Sequence, residues 1–165
     1  SASTRALVYA FVNNEKYGWT FFENLKANGA ELESSTGAVN NKVASGSYKV
    51  AFGLDYTTRN LMANGSPIAY KDTTDMVAMA APICIPTGAP NLELAKLLYD
   101  FILDPDGGQK ILTQFYTTPV VSGVELPEGM LDSADIAQKC MTIDFNDLSA
   151  TSTELLDRFD SIFKK

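Results

Sequence analysis

The sequence predicts an α/β fold in which a mixed sheet is flanked by helices. Predicted helices and strands alternate over residues 1–70, which is typical of an α/β layer. The segment Met76–Ile85 is continuously apolar, as expected for a strand that is covered on both faces. Two amphipathic patterns, Asn91–Leu103 and Thr151–Phe163, predict long helices that would pack on the sheet.

The first half of the chain supplies four of the predicted helices and two strands. Helices are predicted at 1–13, 18–28, 34–45 and 56–63, each with a stop at Asn or Gly. Strands are predicted at Tyr48–Leu54 and Pro67–Tyr70, where β-branched and aromatic residues alternate with others. This arrangement would place helices between successive strands.

The second half is richer in helix signals. Asp104-Pro105 is predicted to end one helix and start the next, and Gly107-Gly108 is interpreted as a packing or turn feature. Thr151 and Glu154 have the spacing of a capping box, so the last helix is predicted to begin there. Asp144 and Asp147 are interpreted as a solvated acidic loop before it.

Composition and charge exclude several classes of function. The 165 residues are 45% hydrophobic and 20% charged, which is close to a globular average and argues against disorder. The net charge of −7, with basic residues scattered, argues against a nucleic-acid or anionic-membrane partner. No run approaches the ~20 apolar residues that a membrane-spanning helix needs.

The residue types in this sequence argue against catalysis and against metal binding. The chain has no histidine, which removes the commonest general base and zinc ligand. Its two cysteines, Cys84 and Cys140, do not form a Cys-x-x-Cys motif, and buried or partly buried thiols are their simplest interpretation. We therefore expect a protein that is not an enzyme and that carries no metal or cofactor.

Three polar segments are candidates for ligand binding. Ser3-Thr4 and Ser34-Ser35-Thr36-Gly37 precede or open helices, where unpaired N–H groups and the helix dipole favour anions and polar oxygens. Asp55-Tyr56-Thr57 follows a predicted strand at the edge where α/β sheets bind ligands. Ordinary helix caps and a polar turn are the alternative interpretation of the same residues.

Several motifs resemble the type II periplasmic solute-binding proteins of ABC transporters, in the branch that binds ferric iron and aminophosphonates. The resemblance begins with Lys-Ala-Asn-Gly at 26–29 and Ser-Ser-Thr-Gly-Ala-Val at 34–39. Its most specific part is Gly88-Ala89-Pro90-Asn91 followed by Asp100-Phe101-Ile102-Leu103 and Gly108-Gln109. It covers nearly the whole chain.

The resemblance implies two lobes that close on a ligand, of which this chain would be the C-terminal portion. Residues 1–80 would form most of lobe two, 81–131 a return segment belonging to lobe one, and 132–165 a tail that rejoins lobe two. The N-terminal lobe of the same protein would then be a partner. The Met76–Ile85 segment and the Leu94/Phe101 helix would expose apolar surface to it, which oligomers could also cover.

The resemblance also assigns ligand-binding roles. Ser3 and Thr4 match a Ser/Thr-Gly turn that holds anions, and Thr36 matches a polar position that reaches the same ligand. Tyr56 matches the first of two iron-binding tyrosines, but Thr57 stands at the second. That departure argues against ferric iron, because phenolate is the hard ligand such a site needs.

The resulting hypothesis is the substrate-binding component of an ABC importer, which captures a small polar or anionic solute and delivers it to a permease. It would work in the periplasm or outside the cell, and a lipid attached to the protein upstream of this sequence could anchor it to the membrane. The alternative is the ligand-sensing effector domain of a transcription regulator that shares the fold. An enzyme on the same scaffold is a third reading, which the absence of histidine opposes.

Overall fold

The computed structural model describes residues 2–164, which contain eight α-helices and no β-sheet. The helices are α1 (Ala2–Val12), α2 (Gly18–Ala27), α3 (Thr36–Ala44), α4 (Asp55–Ala63), α5 (Leu92–Leu103), α6 (Gly108–Thr113), α7 (Ser133–Lys139) and α8 (Phe145–Phe163). The predicted first helix began at Ser1, which lies outside the described residues.

The predicted mixed α/β sheet is wrong. The segments 48–54, 67–70 and 76–85 do not form strands, and the only β-pairing within residues 2–164 is an isolated parallel bridge between Met76 and Cys140. Val50 and Phe52 are 85% and 54% exposed instead of buried on a sheet face. Apolar alternation favours an extended backbone, but a strand exists only when a second strand pairs with its N–H and C=O groups.

The described chain divides into two compact units. The first contains the described residues up to Ser34, then Thr73–Met79, and the described residues from Lys139 onward. The second contains Ser35–Asp72 and Ala80–Gln138. The first unit therefore holds α1, α2 and α8, and the second holds α3 to α7.

An aromatic core joins the three helices of the first unit. Phe22 of α2 contacts Phe159 of α8 edge to face, with ring centroids 5.4 Å apart. Phe11 of α1 stacks on Phe21 at 4.7 Å. Such pairs add about 0.5–1.5 kcal/mol each beyond area burial. The buried members of this core are Ala6, Val8, Tyr9, Phe11, Phe22, Leu148, Leu155 and Phe159.

Polar contacts fix the edges of the same unit. Asp144 is the N-cap of α8, because its carboxylate accepts hydrogen bonds from the N–H groups of Asn146 and Asp147. Asp147 accepts a 2.8 Å bond from the Tyr9 hydroxyl. The predicted start at Thr151 is therefore wrong: Thr151 lies inside α8 and donates to the Asp147 carbonyl. Both aspartates are exposed, as the sequence suggested, but Asp147 lies in the first turn of α8 and not in a loop before it.

The second unit packs α6 closely against the end of α5. A Cβ on Gly108 would lie 2.6 Å from Ile102 Cα, so only glycine fits. Gln109, 2% exposed, donates to the Ile102 carbonyl at 2.7 Å and accepts from the Val120 N–H at 2.9 Å. The interpretation of Gly107-Gly108 as a packing feature is confirmed, and the Gly-Gln motif has a structural explanation.

Candidate functional site

The predicted ligand-binding residues fall in both units. Ser3 and Thr4 lie in the first turn of α1, in the first unit. Thr36 is the first residue of α3, and Asp55, Tyr56 and Thr57 are the first three residues of α4, in the second unit. That all six residues converge on one ligand is a prediction, and the four residues of the second unit can be described together.

The start of α3 is a well-formed helix N-terminus. Ser35 has an extended backbone (φ −156°), and its hydroxyl accepts a 3.1 Å hydrogen bond from the Ala38 N–H. This is the geometry expected of an N-cap, and it fixes Thr36 as the first helical residue. The Thr36 hydroxyl is thereby held at the positive end of the α3 dipole, where polar oxygens bind well.

The start of α4 differs from that of α3 in the chemical groups that it presents. Leu54 occupies the N-cap position, and no side chain caps the helix. The first N–H groups of an α-helix have no partner within the helix. Asp55 brings a carboxylate to this turn, and Tyr56, 40% exposed, brings a phenol. The α4 start therefore offers amides, hydroxyls and one carboxylate.

Asn40 connects these two helix starts. Its side chain is 4% exposed and lies 3.0 Å from the Thr58 hydroxyl. With the amide oxygen toward Thr58, it accepts from the Thr58 N–H at 3.3 Å, and its nitrogen donates to the Thr36 carbonyl at 3.2 Å. Both ends of the amide are satisfied in this orientation. One buried side chain thus links Thr36 to the turn that carries Asp55, Tyr56 and Thr57.

The backbone before α4 is shaped to admit this amide. A Cβ on Gly53 would lie 2.6 Å from the end of the Asn40 side chain. Contacts that short do not occur in real structures, so a larger residue at position 53 would require the Asn40 amide to move. The absence of a side chain at Gly53 therefore leaves room for the Asn40 amide at this junction.

A charged cluster continues along α4 from Asp55. Arg59 lies one helical turn further, with its guanidinium 4.6 Å from the Tyr70 ring centre and 4.0 Å from Asp72 Oδ1. Burial raises the pKa of Tyr70 well above its usual range, and the negative charges of Asp55 and Asp72 raise it further. The Tyr70 phenol therefore stays protonated well into the alkaline range.

Sequence reasoning missed Asn40, Tyr70 and Asp72. Asn40 stands in the middle of a helix, where asparagine usually faces solvent, and only its burial identifies it. Tyr70 and Asp72 lie in and beside a segment that was predicted as a strand. Arg59 follows the polar turn Asp55-Tyr56-Thr57 in the sequence, and its residue type alone does not mark it as part of a site. The three-residue spacing from Tyr56 to Arg59 was the one available signal that they share a helix face.

The described residues show neither a metal cluster nor a membrane span. Within 2–164, no group of three or more Cys, Asp or Glu side chains is arranged to hold a metal ion. In the same range, no helix combines the length and the apolar character that crossing a bilayer requires.

Comparison with known proteins gave one positive result. A family model described as bacterial extracellular solute-binding protein matches residues 1–151. Neither the curated proteins nor the solved structures gave a match. The matched range includes the starts of α3 and α4 and the Arg59 cluster.

Proposed function

Because the chain belongs to the family of bacterial extracellular solute-binding proteins, we propose that it is the substrate-binding component of an ABC importer. It captures a small polar or anionic solute and delivers it to the permease. It acts by binding and carries out no reaction on the solute. The family match over residues 1–151 is the observation on which this proposal rests.

The polar or anionic character of the solute is supported by the paired helix starts. Thr36 and Asp55–Thr57 present hydroxyls and N–H groups at positive dipole ends, held at a fixed spacing by Asn40. Such groups bind oxygen atoms without needing a basic side chain. An apolar ligand would leave them unpaired, at a cost of about 1–3 kcal/mol each.

The place of action follows from the family. Members are extracellular, and we propose that this chain works in the periplasm or at the outer face of the cell membrane, including a lipid-anchored form. A protein in that position can collect solute and release it to a permease without crossing the bilayer itself.

A second lobe of the same protein is proposed as the partner that completes the binding cleft. The expected exposure on the α5 helix is confirmed: Leu94 and Leu97 are each 66% exposed, and Phe101 is 47% exposed. An apolar stripe of this size usually marks a protein contact. Closure of the two lobes on the solute would bury more of it than one lobe can.

A thermal-shift screen tests the proposal. The chain would be melted alone and with millimolar inorganic phosphate, methylphosphonate, acetate or glucose, or with toluene as an apolar comparison. A ligand that binds only the folded state raises stability with its concentration. We expect at least one polar or anionic solute to raise the melting temperature in a saturable manner. Stabilisation by toluene alone, or by none of these compounds, would contradict the proposal.

A further inference from the structure

The Arg59 side chain is largely buried, yet most of its N–H groups make no hydrogen bond to the described residues. Its side chain is 15% exposed, and one face of the guanidinium lies 4.6 Å from the centre of the Tyr70 ring. Its only ion pair within residues 2–164 is to Asp72 Oδ1, at 4.0 Å. Charge-assisted hydrogen bonds to carboxylate are normally about 2.7–2.9 Å long, so this pair is loose.

The geometry around Arg59 restricts what can bind there. Stacking on Tyr70 fixes the plane of the guanidinium, and a fixed planar fork favours bidentate binding of a carboxylate or phosphate. Asp55, one turn earlier on α4, and Asp72 both bring negative charge to the same cluster. A ligand oxyanion must therefore replace Asp72 at the guanidinium, because a third negative charge beside both carboxylates would be repelled.

We propose that Arg59 is the anion-binding residue of the solute site and that Asp72 is the resident counter-ion which the solute displaces. The solute would then carry a carboxylate or a phosphate-like group that binds both guanidinium nitrogens. This inference rests on the proposed function, since it names the solute class of the same α4 site. It predicts opposite effects of removing the two charges, which a purely structural ion pair would not produce.

The test is a ¹H–¹⁵N titration of this chain with inorganic phosphate and, separately, with acetate, following the Arg59 Nε–Hε signal. Phosphate or acetate should move this signal, and the stronger of the two identifies the group that binds. Arg59→Gln should weaken binding by about tenfold or more, the loss of one charged hydrogen-bonding partner. Asp72→Asn should strengthen it severalfold, and Asp106→Asn, an exposed control in the same unit, should leave it unchanged.

The decisive readout is the sign of the Asp72→Asn effect. If Asp72→Asn leaves the affinity unchanged or lowers it, or if neither anion moves the Nε–Hε signal, the inference is wrong. Should Arg59→Gln fail to fold, Arg59→Lys and Asp72→Asn still decide the question. Glucose binding that shifts Thr36 and Tyr56 but ignores both substitutions would overturn this inference and leave the proposed function intact.

Discussion

The side-chain amide of Asn40 lies 3.0 Å from the Thr58 hydroxyl and ties the middle of α3 to the first turn of α4. The Thr58 hydroxyl in turn donates to the Leu54 carbonyl at 2.9 Å, so the link reaches the residue that precedes α4. Because Asn40 is 4% exposed, water cannot replace these bonds. The spacing of the two helix starts therefore depends on one buried amide.

Asn40→Ala should destabilise this junction. The Thr58 N–H keeps its 3.0 Å bond to the Leu54 carbonyl, so the substitution removes the hydrogen bonds of a buried amide, at a cost of about 0.5–1.5 kcal/mol in the free energy of unfolding. Urea denaturation measures the loss. Asn41→Ala, an exposed neighbour on the same helix, is the matched control and should change stability by less than about 0.5 kcal/mol. Equal effects of the two substitutions would show that the Asn40 link contributes nothing.

Gly108→Ala tests the close packing of α6 on α5. The added methyl would lie 2.6 Å from Ile102 Cα and 2.8 Å from two carbonyl oxygens, so the backbone must shift. Overpacking of this kind costs about 1–3 kcal/mol. Gly37→Ala is the control, since its methyl would meet only the Ser35 hydroxyl at 3.8 Å. In α3 it should raise stability by up to about 1 kcal/mol through helix propensity. A neutral Gly108→Ala would contradict the packing.

The Tyr9–Asp147 bond predicts a specific loss of stability in alkali. The hydrogen bond to Asp147, with burial and the nearby carboxylates, raises the pKa of Tyr9 to about 12. A raised pKa in the folded state stabilises the fold fully below the unfolded value near 10 and less as pH rises through 12. Tyr9→Phe should therefore flatten the fall in unfolding free energy over this range.

Absorbance at 295 nm checks the same assignment independently, because it reports tyrosine ionisation. One transition near pH 12 should disappear in Tyr9→Phe. A Tyr9 transition near the ordinary value of about 10 would refute the assignment.

The exposed face of α5 predicts self-association of the isolated chain. Leu97 is 66% exposed, and replacing it with glutamate places a charge in the apolar stripe. Light scattering after gel filtration should show mass rising with protein concentration, and less so for Leu97→Glu. Gln138→Glu adds the same charge at an exposed position away from α5. A monomer at every concentration would rule out association through this face.

Local signals in the sequence were sufficient for much of the helical structure. The amphipathic pattern at Asn91–Leu103 predicted α5, and the polar start at Asp55–Tyr56 predicted α4. The sheet could not be predicted correctly, because pairing depends on a second strand that local sequence does not specify. Asp144 shows the same limit in a helix, since its capping role became visible only with the N–H groups that it binds.

The sequence predicted the kind of residue that forms the candidate site, but not the contacts that hold those residues together. Thr36 was predicted from its place at a helix start and lies there, whereas Tyr56 was predicted at the edge of a sheet that does not form and lies in the first turn of α4. What joins them is Asn40, whose role depends on burial, and what adds charge is the pairing of Arg59 with Asp72. Burial and pairing arise from tertiary structure, so composition and spacing alone could not identify these residues.

The central claim is that this chain binds a polar or anionic solute at the starts of α3 and α4. The most direct measurement is a ¹H–¹⁵N titration of the assigned backbone amides with inorganic phosphate, methylphosphonate, acetate and glucose. At least one solute should shift the amides of Thr36, Asp55, Tyr56 and Thr57 saturably, and Thr36→Ala should weaken that binding by about 1–3 kcal/mol. Shifts confined to other parts of the chain, or none with any of the four solutes, would contradict the account.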